Sequence, residues 1–126
     1  MKPSSTVAFG ALCLLTGVGA GAFGAHGLKQ VVSPSLLAVW QTAVRYQLVH
    51  GLGLLILVAL APHLNAALSR HAIRLMAAGI VIFSGSLYAL VLSGYTMLGA
   101  ITPIGGVAFI LAWALVAVAA LQKRTL

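Results

Sequence analysis

The side chains that could do chemistry in this chain are few, and every one is neutral or cationic. Its 126 residues include seven Lys and Arg, four His and three Tyr, and no Asp or Glu. The densest polar group lies between residues 41 and 50. Thr42, Tyr46 and His50 follow at i, i+4 and i+8 on one helix face, Gln41 and Arg45 stand beside them, and Gln47 lies off that face. Arg45 constrains the reading most. A guanidinium stays charged, and this chain offers it no side-chain carboxylate. Its possible partners are water, backbone carbonyls, a lipid phosphate or a bound anion. That chemistry is anion recognition. His26, Ser86 and Thr102 extend the polar set.

The missing carboxylates exclude whole mechanisms. A Ser-His-Asp triad, a glycosidase carboxylate pair and a carboxylate proton relay all need acids. Histidine, tyrosine and arginine alone are a thin catalytic set, so no catalytic residue is assigned and no cofactor is expected. His26 and His50 could approach one another, but two imidazoles without Cys, Asp or Glu do not complete a metal site. His63 and His71 fall at a loop and are expected in water. The lone Cys13 has no disulfide partner and reads as a small packing residue.

Composition decides which elements hold these side chains. The chain is 62% hydrophobic and 6% charged, against roughly a quarter charged in soluble domains. A net charge of +7 would suggest nucleic acid in a soluble protein. Here the cations flank apolar runs, so they read as topology signals and contacts to anionic membrane lipids, with no nucleic acid partner.

One transmembrane domain of four helices is expected over 1–126, with spans near 5–26, 34–61, 70–93 and 103–122. The first run has signal-peptide flavour, but the equally apolar chain after it favours a retained span. It ends in GAFGAHGL at 21–28, with Gly27 as a helix stop. Gly17, Gly21, Gly24 and Leu28 fall within about 40° of Gly10 on a helix, a bare stripe for close approach of another helix. Packing inside the chain and a homo-oligomer seam both remain open. Ser33-Pro34 and Thr102-Pro103 read as cap-plus-proline helix starts, and Ser69 as the cap of the third helix. Trp40 suits a membrane interface, and Gly79, Ser86 and Ser93 form a second small-residue seam.

Five ordered motifs carry a resemblance over nearly the whole chain. GAFGAHGL at 21–28, Trp40-Gln41-Thr42-Ala43 with Tyr46-Gln47 and His50, FSGSLY at 83–88, TPIGG at 102–106 and Trp113 resemble the YgdD-like small membrane proteins, the family of domain of unknown function 423. The resemblance implies a four-span protein of the bacterial inner membrane. It implies no activity, cofactor or catalytic residue.

Four spans put both termini on one side. That side holds Lys2, Arg70, Arg74, Lys123 and Arg124, against Lys29 and Arg45 opposite, so the positive-inside rule makes both termini cytoplasmic. His26, Gln41, Arg45, Tyr46, His50, Ser86 and Thr102 are then all expected in the outer half. Two functions follow as expectations. One is a binding or transport-related module holding a lipid headgroup or small anion there. The other is a structural protein that recruits a larger membrane partner through its small-residue faces.

Overall fold

The structure is a computed structural model that describes residues 1–123; Arg124 lies outside the described residues. Four α-helices follow in order: α1 (Pro3–Ala25), α2 (Pro34–Leu60), α3 (Ala66–Ser93) and α4 (Thr102–Gln122). Each is long and apolar enough to cross a membrane, as expected. The terminal end of the molecule carries the start of α1, the end of α4 and the α2–α3 connection. The far end carries the α1–α2 and α3–α4 connections.

Local chemistry explains the helix ends, and it corrects several expected ones. Ser33 caps α2 as read, accepting from the Leu36 N–H at 3.2 Å. The third helix starts earlier than Arg70. Asn65 is its cap, accepting from Leu68 N–H at 3.1 Å, and Ser69 lies inside the helix. Asn65 also donates its own N–H to Ala119 O at 2.9 Å, which ties this cap to α4. Thr102 does not cap α4, because its hydroxyl is engaged with Ser86 at 2.6 Å. Gly27 is not a left-handed stop; α1 ends through His26, and Gly94 is the left-handed glycine (φ 74°) that closes α3.

The helices pack in sequence, α1 along α2, α2 along α3 and α3 along α4. The central pair is the better buried. On the flanking helices, Leu12, Leu15 and Val18 of α1 and Ile104, Ile110 and Leu111 of α4 face outward. In lipid such faces need no cover, since acyl chains are as apolar as leucine.

Close approach of backbones fixes the packing. A Cβ on Gly10 would come within 2.9 Å of Gly51 O, one on Gly17 within 2.7 Å of the Leu48 side chain, and one on Gly24 within 2.7 Å of the Trp40 ring. Gly21 is less crowded, 3.4 Å from Val44. The α1 stripe is therefore occupied by α2 and is not a free seam for another chain. Gly79 serves α4 in the same way, against the Phe109 ring. Ser86 joins that contact, whereas Ser93 is exposed and bonds back to Ala89 O. A shared core of Leu54, Leu57, Met76, Ile80, Phe109 and Ala112 fills the space toward the terminal end.

A mid-membrane polar layer and the Arg45 cavity

Gln47 lies at the centre of the molecule, about 20 Å along α2 from Pro34 in a helix about 40 Å long. It is 7% exposed and joins three helices. Its amide donates to Cys13 O and to Thr16 Oγ1 of α1, both at 2.8 Å, and its Oε1 accepts from Tyr88 OH of α3 at 2.6 Å. A buried amide in hydrocarbon must find such partners, because no water is there to replace them. Around this node, Ser84 Oγ donates to Ala43 O at 2.7 Å and Trp40 Nε1 to Ala20 O at 2.8 Å. Trp40 is thus a packed residue between α1 and α2, in ring contact with Tyr88 at 4.6 Å, and not an interface anchor.

His50 lies one turn further along α2. Trp113 Nε1–H of α4 points at His50 Nε2 at 3.0 Å, and His50 Nδ1 is 2.9 Å from Tyr46 O. An indole N–H only donates, so Nε2 is the acceptor and the ring proton sits on Nδ1, donated to the carbonyl. Both nitrogens are used. The imidazole also stacks on Phe109, centroids 3.6 Å apart. Nitrogen-15 NMR of the imidazole is expected to give the Nδ1–H tautomer. Trp113→Phe is expected to move the Nε2 resonance and to cost about 1 kcal/mol.

The residues anticipated as one site separate into three places. Arg45, Tyr46 and His50 line a single cavity of about 280 Å³ with Val49. Tyr46 is backed by Phe83 and Phe109, with centroids 4.4 and 6.1 Å away. Ser86 and Thr102 bond one another in the α3–α4 seam; Ser86 donates to Phe83 O, which makes Thr102 the donor to Ser86. His26 and Gln41 are exposed and do not line the cavity. His26 stands at the α1 C-terminus, while His50 is buried about 24 Å into α2, so the two do not pair. The polar layer is also deeper than expected: Gln47 is at mid-length and His50 beyond it. Arg45 projects about 17 Å from the start of α2, exposed, and makes no hydrogen bond among the described residues.

Comparison with known proteins is consistent with this architecture. Residues 20–106 match the model of a family described as a protein of unknown function, DUF423. The chain is 49% identical over 117 residues to the UPF0382 membrane protein YwdK of Bacillus subtilis, covering 92% of this chain and 95% of that protein. The chain belongs to the DUF423 family. It is also 48% identical over 107 residues to the UPF0382 membrane protein SH2409 of Staphylococcus haemolyticus, covering 85% of this chain and 87% of the relative. No solved structure matches it. The relatives are named as membrane proteins, and with four apolar helices this DUF423 chain is an all-α integral membrane bundle of four transmembrane helices.

The DUF423 chain has functional-site candidates that spacing on one helix does not pick out. Gln47, Thr16 and Tyr88 form the central node, and Trp113 completes the His50 site. Their sequence signal is a polar or aromatic residue inside an apolar run, which marks a buried partner without identifying it.

Proposed function

We propose that the protein is a binding module of the bacterial cytoplasmic membrane that holds an anionic ligand, a lipid headgroup or a small anion, at Arg45. The observation that carries this reading is the cavity beside Arg45, Tyr46 and His50, near mid-depth, in a chain without a single acid. A charged side chain at that depth is costly unless it faces water or a counter-ion. Tyr46 and the stacked His50 ring give the cavity an amphipathic wall suited to a ligand with an anionic head and an apolar body. Lys2, Arg70, Arg74 and Lys123 gather at the terminal end, against Lys29 in the far-end loops, which supports cytoplasmic termini.

Native mass spectrometry of protein released from nanodiscs tests this directly. The wild type is expected to retain a discrete anionic adduct, and Arg45→Gln to lose it by about tenfold or more, the worth of one charge-assisted hydrogen bond. The fold is expected to survive, because Arg45 is exposed and bonds nothing else among the described residues. A wild type that carries no anion overturns the reading and favours the assembly role. A partner would then sit on the outer faces of α1 or α4, since the glycine stripe is already filled.

A further inference from the structure

A second cavity, of about 240 Å³, opens at the terminal end, between the first turns of α1 and α3 and the last turn of α2. Pro3 and Thr6, Ser69, Arg70 and Ile73, and Val58 line it from those three helices. Ser69 is the informative residue. It is 5% exposed, and its hydroxyl makes no hydrogen bond among the described residues. Thr6, Thr16, Thr42 and Ser93 all donate back to a carbonyl of their own helix; Ser69 does not. No side-chain polar atom of the described residues is both sealed and unpartnered, so the Ser69 oxygen opens onto the cavity it lines. Arg70, exposed and next in sequence, lines the same cavity. Of the α1 residues that line it, Pro3 has no N–H and Thr6 donates both its N–H and its hydroxyl to Lys2 O, so the helix donors on this wall come from α3.

We propose that this cavity binds a phosphate group, with Ser69 and Arg70 as its principal donors. A hydroxyl and a guanidinium with no acid suit an anion with several acceptor oxygens. The volume holds about eight waters, ample for a phosphate. Depth points to a lipid phosphate as the source. α3 is about 42 Å long, against a hydrocarbon layer of about 30 Å, so Ser69 and Arg70, about 5 Å into it, stand at the hydrocarbon boundary. Val58 and Ile73 offer an apolar wall to the attached acyl chain. The site is separate from Arg45 and does not rest on the reading of that cavity.

The test uses the full chain in nanodiscs of phosphatidylcholine doped with phosphatidylglycerol, read by native mass spectrometry after release. A parallel arm titrates inorganic phosphate onto detergent-solubilised protein and follows it by phosphorus NMR. Wild type is expected to keep phosphatidylglycerol over phosphatidylcholine, and Ser69→Ala to lower retention about tenfold. Ala66→Leu narrows the cavity from an exposed position without removing a donor, and is expected to lower retention as well. Arg45→Gln is expected to leave this adduct in place. Binding of inorganic phosphate that is sensitive to Ser69→Ala, without lipid retention, supports the phosphate site and identifies free phosphate as the source. Retention unchanged in both Ser69→Ala and Ala66→Leu, loss with Arg45→Gln alone, or no phosphate species in either arm overturns the proposal.

Discussion

Gly105→Val is expected to abolish recovery of folded protein, while Gly19→Ala raises its stability. A Cβ at Gly105 would stand 2.5 Å from Phe83 N and 2.8 Å from Phe83 Cα. These are backbone atoms of a packed helix, so no rotamer change relieves the clash; α3 and α4 must separate. Overpacking usually costs about 1–3 kcal/mol where side chains can yield. Here they cannot, and we expect about 3 kcal/mol or more, a large part of the stability of a small domain. Separation would also open the Ser86–Thr102 bond one turn away and unseat Phe109 from Gly79. Gly19 is the opposite case, exposed and with nothing within 4 Å of its added Cβ. Replacing it by alanine removes helix-interior glycine at no steric cost, a gain of up to about 1 kcal/mol on aqueous scales. Unfolding in mixed detergent micelles measures both. Folded Gly105→Val with wild-type stability would mean that the α3–α4 approach is not as drawn.

Gln47→Leu is the second large effect, expected at about 2 kcal/mol. The substitution keeps the volume and removes three hydrogen bonds at once. Interhelical hydrogen bonds in membranes average about 0.6 kcal/mol and reach about 1.7. Three such bonds give about 2 kcal/mol, and the Tyr88 hydroxyl left alone in a dry interior adds to the loss. A double-mutant cycle with Tyr88→Phe isolates the Tyr88–Gln47 bond. We expect each single change to destabilise and the pair to be less than additive by about 1 kcal/mol. Additive costs would show that the two side chains act independently, and that the node does not join α2 to α3.

Much of the architecture was legible because bilayer constraints act on local sequence. Four apolar runs of spanning length, separated by short polar breaks, can satisfy their backbone only as helices, so span number and alternation followed from composition. The Gly10–Gly17–Gly24 stripe was visible for the same reason: a period near seven places small residues on one helix face. Ser33 was readable as a cap because capping is decided within four residues. Asn65 was missed in favour of Ser69 because both can cap, and the choice depends on a bond from Asn65 to Ala119, far along the chain.

The candidate sites were less legible. Residue type alone marked Arg45 and His50 as unusual inside a span, since charge and polarity are costly there wherever the partners lie. Only the tertiary structure decided what each one meets. It gave His50 to Trp113, separated by more than sixty residues, and left Arg45 beside a cavity without a hydrogen bond among the described residues. It withdrew Ser86 and Thr102 into a packing seam, and gave Gln47, which lay off the polar face, three side-chain hydrogen bonds to two neighbouring helices. The physical reason is that helix formation is specified by neighbours within a turn, whereas partners across helices depend on rotation and depth. The close backbone contacts at Gly10, Gly51, Gly79 and Gly105 set both, and no single helix encodes them.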